Sequence, residues 1–426
     1  MKVLVVGGGG REHALVWKLL QSPLAEKVVC VPGNAATQEV APGPAISPDD
    51  LDGLLQYALQ EKFDLTVVGP EVPLTAGMVD RFEQAGLPCF GPQQEAAQIE
   101  GSKAFAKQLM IDAQIPTASH ATFTDPDQAE AHIKKIGAPI VVKADGLAAG
   151  KGVLLCRTEE EALKALHAVA RAKAFGDAGN KVVIEDFLTG EEASFLALTD
   201  GKTVLPMATS QDHKAVFDGD TGPNTGGMGA YSPAPVVTDE LFSRIMDRVM
   251  APAVRAMAER GTPYKGILYA GLMIDPDGGI NVLEFNCRFG DPETQPLMMR
   301  LKSDLLPALI ACREGTLDQV ELEWDPRPTV CVVMASGGYP GSYDKGIPIQ
   351  GLAENVEDAV VFHAGTALRE GETVTNGGRV LGVTGIGSDI PAAIRAAYSR
   401  VKTIHFNGVH FRGDIGRKAL KYIDGV

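Results

Sequence analysis

The stretch KVLVVGGGGREHALVWKLLQ, residues 2 to 21, reads as a strand, a glycine turn and a helix. Outward from it, KVVCV (27–31), LDGLLQYALQ (51–60) and DLTVVG (64–69) repeat the alternation. Strands alternating with helical patterns predict a parallel sheet with crossover helices over the first hundred residues. Free N–H groups at the start of a helix could hold a phosphate. The turn fails as a dinucleotide fingerprint, because counting from Gly7 the third glycine position is Glu12 and the second strand ends in CVPGN with no acid to grip a ribose. A tight structural turn and a seat for a phosphate-bearing substrate both stay open.

The chain has 426 residues, which suggests about three domains at roughly 150 residues each. Thirty-nine Lys plus Arg against 54 Asp plus Glu leave a net charge of −15. Such a surface repels a polyanion, so nucleic-acid binding is not expected. The six cysteines, Cys30, Cys89, Cys156, Cys287, Cys312 and Cys331, form no C-x-x-C pair, as expected of reduced thiols in the cytoplasm. MKVLVV turns into glycine too early for a signal peptide, and no apolar run reaches the roughly 18 residues a membrane helix requires.

Beyond residue 101, Ser102 is placed to cap a helix that stops before Pro116. Residues 122–190 read as a small α+β unit, with strands PIVVKA, GVLLC and KVVIEDF around the helix EEEALKALHAVARAKAF. A Gly/Pro-rich segment, FDGDTGPNTGGMGAYSPAP, precedes a helix near 239–260 and the strands ILYAGLMID and GINVLEFN. After WDPRP the chain changes to short strands and glycine turns, marking a last domain from about Thr329.

Four segments carry chemistry. EFNCRFGDPETQ (284–295) is a strand emptying into a loop; alternation puts Glu284 and Asn286 on one face and Leu283 and Phe285 on the other. A carboxylate and an amide oxygen suit Mg²⁺ shared with phosphates, and a merely solvated strand exit is the plain alternative. VVKADGLAAGKGV (141–153) departs from the P-loop in spacing and in the Gly after Lys151. Lys143 and Lys151 flank a small-residue hairpin able to close over a triphosphate, unless it is a surface hairpin with solvated lysines. VVIEDFLTGEEASF (182–195) is a strand, a break and a strand whose backbone could read an adenine edge, with Glu192 accepting from ribose hydroxyls. DHKAVFDGDTGPNTGGMGAYSP (212–233) interleaves five glycines with Asn224 and Thr225 behind Lys214, which fits a loop around a small anionic substrate better than a linker. Lys103, Lys143, Lys151, Lys214 and Arg288 all stand beside glycine turns or strand ends, a combination that fits phosphate handling with Mg²⁺.

In this order the motifs resemble the ATP-grasp carboxylate-amine ligases, and most of all the phosphoribosylamine-glycine ligases. GGGGREHA matches that family's amino-terminal loop, QDHK and GPNTGGMGAYSP its substrate loop, and EFNCRFGDPETQ its most specific signature. The likeness runs over essentially the whole chain. It implies an α/β protein: a Rossmann-like parallel-sheet domain (1–101), an ATP-grasp region (102–328) with 122–190 as its lid, and a mixed β-rich domain (329–426). It further implies ATP-dependent joining of glycine to 5-phosphoribosylamine through glycyl phosphate, the second step of de novo purine synthesis, by a cytoplasmic monomer.

By the same resemblance, Glu284 and Asn286 carry Mg²⁺ or Mn²⁺, and Arg288 and Lys143 are catalytic. Lys103, Lys143 and Lys151 meet the ATP phosphates, Glu185, Phe187 and Leu188 hold adenine, and Glu192 holds ribose. Gly8, Gly9, Asp212, Lys214, Asn224, Thr225, Gly226, Gly227, Met228, Gly229 and Asp291 surround the substrates. One departure is Ala215, where the family usually has Arg after the DHK lysine, with Phe217 in place of a small residue; both are expected to lie outside direct contact. The rivals are an ATP-grasp ligase for another acid or amine and a nucleotide-binding regulator without turnover. The failed fingerprint disfavours an oxidoreductase.

Overall fold

A computed structural model describes residues 1–148, 152–174, 176–354 and 356–422. Lys2–Gly7 lies inside a four-stranded parallel sheet, flanked by Lys27–Pro32 on one side and by Leu65–Val68 and then Cys89–Phe90 on the other. Val3, Leu4, Val5 and Val6 are fully buried, as a parallel strand covered on both faces requires. The helix Gly10–Leu19 follows at once, so the glycine turn sits at the carboxyl end of the central strand, where open α/β sheets bind ligands.

Ser102 caps the helix Lys103–Asp112 by accepting from the Phe105 N–H at 3.1 Å. The strands Val204–Pro206, Glu191–Asp200, Lys265–Ile274 and Ile280–Asn286 form an antiparallel sheet in that order. One apolar core joins it to the amino-terminal layer, placing Val68, Leu74 and Ile99 with Phe195, Ala270 and Val282.

The small unit is a four-stranded antiparallel sheet, His120–Phe123, Val182–Asp186, Ile140–Ala144 and Val153–Cys156, covered by the helices Pro126–Ile136 and Glu159–Leu166. The strand from His120 and the helix from Pro126 are additions to the reading from sequence. Its buried cluster draws, among the described residues, only on positions between 123 and 184.

The carboxy-terminal sheet contains a larger surprise. Its order is Gln211–Asp212, Gly229–Ser232, Thr329–Ala335, Arg379–Ile386 and Ala359–His363. One of these strands, Gly229–Ser232, therefore comes from the Gly/Pro-rich segment that looks like loop in the sequence, and Gln211–Asp212 lies just ahead of that segment. Gly229–Ser232 is buried throughout and pairs with Thr329–Val332, bringing the substrate-loop candidates against the last domain. No helix among the described residues is long and apolar enough to cross a membrane.

Candidate active site

The strand Ile280–Asn286 pairs with Lys265–Ile274, but the register slips. Ala270 faces Phe285 and Gly271 faces Glu284, whereas Leu272 faces Val282. Leu283 is the extra residue of a β-bulge. Val282 and Phe285, three apart, consequently enter the same core. Uninterrupted alternation would put Glu284 and Asn286 on the face of Ile280 and Val282, in that core. The bulge turns them away from it. The pairing of Leu283 with Phe285 on one face, read from alternation, is thereby corrected. Leu283 instead offers its carbonyl to Lys143 Nζ at 3.1 Å.

Around Glu284 the charges alternate in sign. Lys214 Nζ lies 2.9 Å from Glu192 and 3.8 Å from Glu284. Burial works against the Lys214 charge, but Glu192, Asp212 and Glu284 outweigh it and hold the ammonium well above the ordinary lysine range. Burial likewise pushes the Glu284 carboxyl up, and Lys214, Lys143, Lys103 and Arg288 more than reverse this, keeping it below the usual carboxylate range. Burial raises the Asp212 carboxyl to about 7, against the pull of Lys214. Arg288 donates to Asn286 Oδ1 at 2.9 Å and to Glu71 at 3.2 Å, and pairs with Glu100 at 3.2 Å. An ionised carboxylate and an amide oxygen, side by side and turned out of the core, are hard ligands that fit a divalent cation.

Among the candidates for the nucleotide, Lys143 converges with Lys107 on one oxygen of the buried Glu185 carboxylate, at 2.9 and 3.1 Å. The other oxygen, Oε1, is buried with no hydrogen-bond partner. Lys103 Nζ donates to the Gly146 carbonyl at 3.1 Å, and Asp145 accepts from Ser102 Oγ and from the Ala104 N–H. The small sheet is thus tied to the amino end of the helix 103–112. Lys151 lies outside the described residues. Phe187 and Leu188 are half-buried just past the strand Val182–Asp186, with the Arg157 guanidinium 5.8 Å from the Phe187 ring centre.

The substrate candidates gather at the far end of the same strand exit. Arg379 donates to the carbonyls of Gly226 and Asp291, at 2.5 and 2.6 Å, and pairs with the Asp291 carboxylate at 3.3 Å. A Cβ on Gly9 would stand 3.3 Å from Asp291 Oδ2, so the glycine turn and Asp291 are neighbours. The Gly9 N–H already donates to Glu12 Oε2 at 2.6 Å, and the Gly8 carbonyl accepts from Asn34 at 3.0 Å. Thr225 ties its N–H and hydroxyl to the Lys214 carbonyl, both at 2.8 Å.

Three candidates stand apart. Met228 is fully buried among Val216 and Ala335, Gly229 is held in the sheet, and Asn224 pairs with Ala215 in a separate hairpin. Ala215 is buried, and Phe217 is half exposed against His410. Gly227 has φ +112°, and a Cβ there would meet Pro292 Cδ at 2.5 Å. Gly227→Ala is expected to cost about 1–3 kcal/mol of stability and to raise the KM of the substrate at this loop, read by thermal melting and steady-state kinetics.

Sequence models of phosphoribosylglycinamide synthetase match along the chain: the N domain over residues 1–100, the ATP-grasp (A) domain over 101–294 and the C domain over 329–418. The chain belongs to the phosphoribosylglycinamide synthetase family. Relatives named phosphoribosylamine-glycine ligase from Vibrio vulnificus and Escherichia coli O157:H7 are each 56% identical, over 423 and 425 residues and 99% of both chains. A crystal structure of phosphoribosylamine-glycine ligase from Thermotoga maritima superposes with a TM-score of 0.85 at 33% identity, covering 97% of this chain and all of that one. A biotin carboxylase from Campylobacter jejuni shares the fold alone, with a TM-score of 0.76 at 16% identity over 96% of this chain and 92% of that one.

Within this chain, four groups escaped the reading from sequence. Lys107, whose ammonium burial lowers to about 8 against the pull of Glu185, lies one turn after Lys103, and that spacing was the available signal. Glu12 stands inside the quoted REHA and takes the Gly9 N–H. Glu293 sits in DPETQ and accepts from Ser194 and Tyr269 at 3.1 and 2.7 Å. Arg379 had no signal at all, because it arrives from a domain whose sequence shows only turns and strands.

Proposed function

We propose that this chain, working as a cytoplasmic monomer, joins glycine to 5-phosphoribosylamine with ATP, releasing ADP and phosphate. A glycine carboxylate is a poor electrophile, so one of its oxygens first attacks the γ-phosphorus, and the amine of the aminosugar then attacks the acyl phosphate, expelling phosphate. Lys103, Lys143 and Lys151 hold the phosphates, and Arg288 meets charge on the transferring phosphoryl group. Adenine lies along Glu185, Phe187 and Leu188, with its ribose on Glu192. Glu284 and Asn286 would hold Mg²⁺ or Mn²⁺, which when bound neutralises phosphate oxygens. The aminosugar lies against Gly8, Gly9 and Asp291 and the Thr225, Gly226 and Gly227 turn, with Asp212 and Lys214 beside it. The domains divide at 101 and 328, and 122–190 closes as a lid that keeps water from the acyl phosphate.

The observation that carries this reading is the bulge at Leu283. It sets Lys143 and the pair Glu284 and Asn286 at one strand end. The experiment follows the oxygen atom. Glycine labelled with ¹⁸O in its carboxylate is expected to yield labelled inorganic phosphate in proportion to the amide formed. Unlabelled phosphate beside normal product would overturn acyl-phosphate formation. ADP release undiminished when glycine or the aminosugar is omitted would overturn the ligase reading altogether.

A further inference from the structure

Residues 410–422 run from the carboxy-terminal sheet back over the 212–225 segment. The guanidinium of Arg412 is fully buried; it donates to the Ala215 carbonyl at 3.1 Å, to Asp220 at 2.9 Å and to both oxygens of Asp414 at 2.8 and 2.7 Å. Asp218 accepts from the Gly413 N–H, Asp414 from the Gly219 N–H, and Lys418 pairs with Asp220 at 2.7 Å. Asp220 is held at φ +55°, in the left-handed region. At the other end, Lys421 Nζ and the Tyr422 hydroxyl both donate to Glu191 Oε1, at 2.6 and 2.5 Å.

The two grips fall on the neighbours of one ion pair. Ala215 follows Lys214, Glu191 precedes Glu192, and Lys214 meets Glu192 at 2.9 Å. Both side chains of that pair are long and partly exposed, so the place where each leaves the backbone decides whether they meet. We propose that residues 410–422 form a positioning strap for the active site, in which Arg412 sets Lys214 while Lys421 and Tyr422 set Glu192. One piece of chain then keeps the ribose contact and the substrate loop in register. Arg412 and its two partners are positioning residues, since they touch the site through others. The proposal rests on the roles given above to Lys214 and Glu192.

Two variants test it. The double variant Lys421→Met with Tyr422→Phe changes surface groups. Arg412→Lys keeps a buried cation and loses the planar fork that spans Ala215, Asp220 and Asp414. The double variant is expected to keep its melting temperature and kcat while KM for ATP and the Kd for ADP by calorimetry rise about 5-fold, the size of one ordinary net hydrogen bond. Arg412→Lys is expected to raise KM for the aminosugar about 10-fold and leave that for ATP within about 2-fold. Unchanged KM values in both variants, or melting temperatures that fall with no change in KM or Kd, would reduce the strap to a structural element. The ADP titration needs no turnover, so it decides the strap even if the wild-type chain fails to ligate glycine, a result that would count against the function alone.

Discussion

Glu284→Gln is expected to lower ligation by at least about 10³-fold while leaving the melting temperature nearly unchanged. The carboxylate is held ionised by Lys214, Lys143, Lys103 and Arg288, and its side chain is a third exposed, at 35%. Glutamine keeps the shape and an oxygen but removes the negative charge a divalent cation needs. The fold survives because Lys214 keeps Glu192 at 2.9 Å and no apolar contact is lost. Phosphate release at saturating ATP, glycine and aminosugar measures the effect. Activity within about 10-fold of wild type at ordinary Mg²⁺ would remove Glu284 from the metal site.

The second large effect is expected at Arg288, and there the structure changes which substitution is informative. Its guanidinium stands between Glu71 and Glu100 and also holds Asn286. Burial already pushes the Glu100 carboxyl up, against the pull of Arg288. Arg288→Ala would leave a buried carboxylate without its cation and lose about 3 kcal/mol of stability or more for that reason alone. Arg288→Lys keeps a positive charge for Glu100 but cannot bridge three acceptors with one planar fork. Turnover is expected to fall about 10²-fold in the lysine variant, with melting largely preserved. A loss of only a few fold in Arg288→Lys, beside a large loss in Arg288→Ala, would assign Arg288 to holding Glu71 and Glu100 together.

The two residues also show where reading a sequence stops. Glu284, Asn286 and Arg288 could be picked out as a candidate metal and phosphate corner because their types and spacing occur within five residues at a strand exit. That Arg288 is tied to Glu71 and Glu100 was not, since those partners lie 217 and 188 positions away and nothing local marks them. The glycine turn was legible as a turn, but its Gly9 N–H is already taken by Glu12, which spacing alone did not reveal. Reading 217–235 as loop failed for a related reason. Gly229–Ser232 is a strand because Thr329–Ala335, a hundred residues on, supplies its hydrogen bonds.

By itself the sequence determined what short range decides. Apolar runs and glycine turns set the order of strands and helices in the first hundred residues, and Ser102 set the start of its helix, because periodicity, capping and turn chemistry act over a few residues. It also determined which groups could handle a phosphate. Only the tertiary structure decided how they meet. The bulge at Leu283 arises from strand pairing and reverses which side chains face the core. The contacts of Lys107 with Glu185, of Arg379 with Asp291, and of Arg412 with Ala215 and Asp220 join residues between 78 and 197 positions apart. Such contacts follow from packing and from burying charge beside opposite charge, and no local pattern records them.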